Sequence, residues 1–113
     1  MILSIQLVAA FMVTIAGPQE RYLRYFLGEY AQMGQCGNPE KRWTLGAREI
    51  NHGLVACEIQ SIDDDHGVLV IRTRNCTQKG DAVRSITYKL DLVSTDAVQV
   101  SNGKQTAMLR RCN

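Results

Sequence analysis

The sequence predicts an all-β fold: a small antiparallel meander of about seven strands, closed into a barrel or packed as a strongly twisted sandwich, with a short helix ahead of it. Three observations carry that reading. In "VRSITYKLDL" (83–92), Ile86, Tyr88, Leu90 and Leu92 alternate with Ser85, Thr87, Lys89 and Asp91, the period of a strand with one buried face. "VLVIRTRN" (68–75) is dense in β-branched residues, whose stiff side chains fit a pleated surface better than a helix. Turn-forming clusters such as "NHG", "DDDHG" and "TQKGD" separate the short apolar runs. At 113 residues, 45% apolar and 21% charged, with no repeat or long linker, the chain has material for a single core.

The elements follow in order. "MILSIQLVAAFMVTIAG" (1–17) holds no charged side chain, and Thr14 and Ala16 are the small residues a leader peptidase reads, so it is taken as a signal peptide cleaved near Ala16 or Gly17. An uncleaved anchor would share its apolar character. Residues 18–113 then form one domain. Pro18 opens a helix over "PQERYLRYFL", with Tyr22, Tyr25 and Phe26 on one face. Strands are expected at 28–32, at 42–50 with a bulge at Gly46, at 54–62, at 68–75, within 83–92, at 97–101 and at 104–112.

Charge and cysteine usage narrow the function classes. The chain carries 13 basic and 11 acidic residues for a net charge of +2, scattered without a basic stripe, which argues against a nucleic-acid partner. Four cysteines behind a leader read as two disulfides made in an oxidising compartment, so a secreted or periplasmic location is expected. The spacings between Cys36, Cys57, Cys76 and Cys112 are 21, 19 and 36 residues, unlike the paired C-x-x-C ligands of zinc sites. In a seven-strand meander Cys57 and Cys76 fall at one end of neighbouring strands, and Cys36 and Cys112 at the other. The pairing Cys57–Cys76 with Cys36–Cys112 is therefore the one that avoids spanning the sheet.

Asn102-Gly103 predicts a two-residue type I′ turn that sets Ser101 opposite Lys104, Val100 opposite Gln105 and Val98 opposite Ala107. With Val98 and Val100 inward, Ala107, Leu109 and Arg111 share the inner face. Arg111 then needs a partner at the rim, and Tyr30 or Trp43 would give its planar guanidinium a stacking surface. Trp43 itself is read as a packing residue of core or rim.

Few residues offer catalysis. His52 and His66 fall in expected turns at opposite ends of a hairpin and are read as solvated. The acidic "DDDHG" reads as a solvated hairpin tip rather than a cation site. Asn75-Cys76-Thr77 matches a glycosylation acceptor by chance. No nucleophile, phosphate or metalloprotease motif is present, so neither enzymatic activity nor a cofactor or metal is expected.

"LGEY" (27–30) resembles the opening strand of lipocalin-like barrels, where a Gly-x-Trp motif is covered by an arginine from the last strand. On this chain Gly28 matches the glycine, Tyr30 stands in place of the tryptophan, and Arg111 or Arg110 matches the arginine. In length and cysteine content the chain is similar to small secreted or periplasmic β-domains of bacteria, some of which inhibit lysozymes or proteases. Their Ser-Gly-x-x-Tyr signature is absent, and "TQKGD" matches only a fragment of their second motif. The resemblance implies a binding protein: first an inhibitor engaging a protein partner through loops and rim, and alternatively a lipocalin-like carrier of a small apolar ligand. A small enzyme is a third, weaker reading.

Overall fold

A computed structural model describes residues 17–113. The expected leader lies outside the described residues, apart from Gly17. The first element is α1 (Pro18–Tyr25), with Pro18 in its first turn, where a missing N–H costs nothing. The strands are β1 (Gly28–Ala31), β2 (Trp43–Leu45), β3 (Glu49–His52), β4 (Val55–Asp65), β5 (Val68–Gln78), β6 (Asp81–Ala82), β7 (Thr87–Ser94), β8 (Ala97–Ser101) and β9 (Thr106–Arg111). Every pairing is antiparallel. Because β4 pairs with β5 and β1 with β9, the sheet closes into an eight-stranded barrel, from which the two-residue β6 hangs on the end of β5.

Three local expectations are corrected. The segment 42–50 is not one bulged strand but a hairpin, β2 and β3, turned at Gly46, whose N–H donates to the Glu49 carbonyl at 2.9 Å. The three aspartates of "DDDHG" end β4, and the turn is His66-Gly67 alone. Both residues have positive φ (55° and 94°), the geometry a two-residue primed turn requires. Asn102-Gly103 does not make such a turn: the Asn102 side chain accepts from the N–H groups of Lys104 and Gln105, which closes a longer loop. The register consequently slides by two residues, with Ser101 opposite Thr106, Val100 opposite Ala107 and Val98 opposite Leu109. An even slip keeps every face, so Val98, Val100 and Leu109 are buried as expected.

The core runs through the barrel from Tyr22 of α1 and Phe26 just after it, past Tyr30, Leu45, Ile50, Leu69, Ile71, Leu90, Val98 and Leu109, to Trp43, Tyr88 and Val100. Tyr25, expected beside Tyr22 and Phe26, is about half exposed at 49%. Helix α1 shuts one end, where the Tyr22 hydroxyl donates to the Gly46 carbonyl at 2.6 Å and Arg21 pairs with Asp64 on the β4 tip at 2.7 Å. Thr73, the one buried polar residue among the described residues, binds both the N–H and the carbonyl of Ile86. It replaces the ladder bonds that the irregular stretch 83–86, read from sequence as strand, does not make.

Cys57 is bonded to Cys76 and Cys36 to Cys112, the two pairs read from the sequence, and no described cysteine is free. The route is not the expected one. With β2 and β3 separate, β9 ends at the helix-closed end, whereas β1 ends at the open end. Cys36 meets Cys112 because β1 is only four residues long and the following loop folds back beside it. Arg42 fastens that loop, donating to the Cys36 carbonyl and to Glu29, whose own carbonyl accepts from the Cys112 N–H. The other bridge is reached through a bulge: Asn75, at φ 51°, is the extra residue that turns Cys76 inward toward Cys57.

Candidate binding site at the open end of the barrel

The two ends of the barrel are built differently. At the closed end Arg111 lies over the Tyr30 ring, its guanidinium carbon 4.9 Å from the centroid. Its three nitrogens donate to the carbonyls of Leu27 (2.7 Å), Tyr25 (2.9 Å) and Thr95 (3.0 Å). Gly28, at φ +149°, leaves room for it: a Cβ there would stand 2.5 Å from the Arg111 Nη1. The Tyr30 hydroxyl donates to Phe26, and burial raises its pKa, opposed by the neighbouring arginine. Of the expected rim residues, Gly28, Tyr30 and Arg111 come together here as a structural clasp, whereas Arg110 stands outside on β9, opposite Ala31 and Ala97. Trp43 is the β2 partner of Tyr30 but takes no part in the contact with the guanidinium.

Trp43, directly opposite Tyr30 on β2, continues the inner face from the clasp toward the open end. Its partner on β3 is His52, and the two rings stack with centroids 3.8 Å apart and planes 14° from parallel. The Tyr88 and Trp43 rings meet in an edge-to-face arrangement, with centroids 5.6 Å apart. Burial pushes the Tyr88 hydroxyl up to about 12, and the hydroxyl has no hydrogen-bond partner among the described residues. Above this aromatic floor opens a cavity of about 470 Å³, lined by Trp43, His52, Val100 and Ala107 below and by Gln32, Lys41, Asn102, Gln105 and Thr106 at the lip. The floor is apolar or aromatic and the lip polar, with Lys41 its one formal charge.

His52 is thus a wall of this cavity, not a solvated turn residue. The signal was present in the sequence: had Gly46 been taken as a turn, Trp43 and His52 would have faced each other across the hairpin. Burial, and then the Lys41 ammonium, lower its pKa below the ordinary imidazole value. An unfolded chain therefore takes up this proton more readily than the folded one between the ordinary value of 6.5 and the lowered value. His52 favours folding fully above pH 6.5, and that contribution is lost as the pH falls toward the lowered value. The melting midpoint is expected to drop between pH 7 and about 5, above the range where carboxylates titrate, and this drop should shrink in His52→Gln. An identical pH profile in the variant would remove His52 as its source.

His66 stands at the far tip of the β4–β5 hairpin, almost fully exposed and beside Asp65. Asp63 and Asp64 at that tip are paired with Arg72 and Arg21, so each carboxylate of the acidic run has a partner in the protein. The Asn75 side chain is exposed and donates to Glu58.

Fold and site together define a small, disulfide-bonded antiparallel β-barrel, closed by a helix at one end and open over an aromatic floor at the other. No protein-family model, curated protein or solved structure matched the chain. Two disulfides are the mark of a protein folded in an oxidising compartment, and no helix among the described residues is long and apolar enough to cross a membrane.

Proposed function

We propose that this is a non-enzymatic secreted or periplasmic binding protein that holds a small amphiphilic molecule in its open mouth, in the manner of a lipocalin-like carrier. The observation that carries the reading is the cavity of about 470 Å³ over the Trp43–His52 stack. Ligand sites typically begin near 300 Å³ and combine an apolar lining with a few convergent polar groups, the distribution found here. A ring or short apolar group would lie on Trp43, Val100 and Ala107, while Gln32, Asn102 and Gln105 supply hydrogen bonds and Lys41 a positive charge.

The clasp of Arg111 over Tyr30, with Gly28 beneath, supports the likeness to lipocalin-like barrels, since it brings a glycine, an aromatic ring and an arginine together at the closed end, with tyrosine in place of tryptophan. A second reading is a protein inhibitor that engages its partner through loops and rim. It draws on the exposed Met33 and Leu54 in loops beside the mouth, 78% and 44% accessible.

The test uses an anilinonaphthalene sulfonate dye, an anionic ring compound, titrated against the protein. One saturable site is expected, quenching the fluorescence of Trp43, the only tryptophan. Ala107→Glu, which fills the mouth and repels the sulfonate, should weaken dye binding by roughly tenfold or more, about the 1.4 kcal/mol that a well-placed ring contact supplies. Undiminished binding in that variant would place the dye elsewhere and sink the carrier reading.

A further inference from the structure

All four lysines of the chain lie at the open end of the barrel. Lys41 closes the 3-10 turn before β2, Lys79 is in the turn between β5 and β6, Lys104 is in the β8–β9 loop, and Lys89 is level with Ser101, the last residue of β8. All are exposed, and none makes an ion pair among the described residues. Five of the eleven carboxylates are instead paired by arginines: Asp64 by Arg21, Glu20 by Arg24, Glu29 by Arg42, Asp63 by Arg72 and Glu58 by Arg74. Arg84, in the irregular stretch before β7, adds a further exposed cation at the open end, where Glu40 and Asp81 are the acids in the loops. The opposite end carries Glu20, Asp63, Asp64, Asp65 and Asp96. Those acids are matched by Arg21, Arg24, Arg72, Arg110 and Arg111, so the closed end is close to neutral and the unpaired positive charge is gathered at the open end.

Apolar side chains stand among these lysines. Met33, Leu54 and Val83, at 78%, 44% and 36% accessible, occupy three separate loops at the same end, although solvent is an unfavourable place for them. Unpaired lysines interleaved with protruding apolar tips suit one kind of partner: an anionic bilayer, whose headgroups attract the ammonium groups while its interfacial region accepts the apolar tips. A soluble polyanion would use the charges and leave the tips in water.

We propose that the open end of the barrel docks on an anionic lipid surface, with Lys79, Lys104 and Arg84 against headgroups and Leu54 and Met33 at the interface. This places the mouth toward the membrane, but it does not depend on the cavity's holding a ligand, since none of these residues lines it.

The test is co-sedimentation of the protein, purified from cells expressing the whole chain, with vesicles of phosphatidylglycerol and phosphatidylcholine, and with phosphatidylcholine alone. Binding is expected to the anionic vesicles only, weakening as salt rises. Lys79→Glu combined with Lys104→Glu should lower the partition coefficient at least tenfold, given roughly fivefold for each lysine near such a surface. Leu54→Ser should lower it several-fold without changing the salt dependence. Arg110→Glu, at the closed end, should change it little. All are exposed positions, and a thermal melt of each variant confirms folding. No binding to anionic vesicles, equal binding to neutral ones, or equal losses from Arg110→Glu and the lysine pair would each overturn the proposal. Binding indifferent to Leu54→Ser and inhibited by heparin would show a polyanion surface instead, and would overturn it too.

Discussion

Replacing Cys36 and Cys112 together by serine is expected to lower the free energy of unfolding by about 4 kcal/mol, a large share of what a domain of this size possesses. The bridge spans 76 residues, and opening it returns the corresponding loop entropy to the unfolded chain. Both cysteines are only half-buried, so the loss reflects chain entropy rather than a cavity. At the closed end the bridge also joins β9 to the loop leaving β1, and β1–β9 is one of the two pairings that close the barrel. The melting midpoint should fall by roughly 20 °C. Urea titration with a fitted m-value decides the matter, and a loss below about 1 kcal/mol would show that Arg42 and Glu29 hold the loop without the bridge.

The second large effect is expected at the clasp. Arg111→Ala removes three charge-assisted hydrogen bonds to backbone carbonyls and the contact with the Tyr30 ring, and leaves the Leu27 carbonyl short of a donor in a partly buried place. A destabilisation of about 3 kcal/mol is expected, against less than about 0.5 kcal/mol for Arg110→Ala on the outer face. Gly28→Ala should cost a comparable amount, because a Cβ there meets the guanidinium and the +149° φ disfavours any side chain. The two costs should not add: with Arg111 already removed, Gly28→Ala should retain only its backbone share. Strict additivity in this double-mutant cycle would show that glycine is present for its dihedral alone. Equal losses from Arg110→Ala and Arg111→Ala would contradict the inward placement of Arg111.

Some of this was legible in the residues. The alternation from Ile86 to Leu92 appears as buried Tyr88 and Leu90 between exposed Thr87, Lys89 and Asp91. The inner face of Val98, Val100, Leu109 and Arg111 survived a register slip because the slip was of two residues. The cysteine pairs were also the right ones, although the parity argument that chose them miscounted a strand. The site was less legible. Trp43 does stand beside Tyr30 across β1–β2, but its stacking partner is His52 rather than Arg111, and reading 42–50 as a single strand hid the turn that sets the two rings together.

What the sequence determined by itself is local or periodic: strand content, which side chains face inward, the short helix after Pro18, and the oxidising environment that four cysteines imply. These depend on backbone preference and a two-residue period, which neighbouring residues specify whatever the rest of the chain does. Only the tertiary structure decided the closure of the sheet through β1–β9 and β4–β5, the fold-back that carries Cys36 to Cys112, the slide at Asn102-Gly103, and the gathering of four lysines from distant segments at one end. Each depends on pairings between residues far apart in the chain. A single side-chain hydrogen bond, such as that of Asn102 to its own loop, can tip the choice between turns of similar energy, and no local pattern records which one wins.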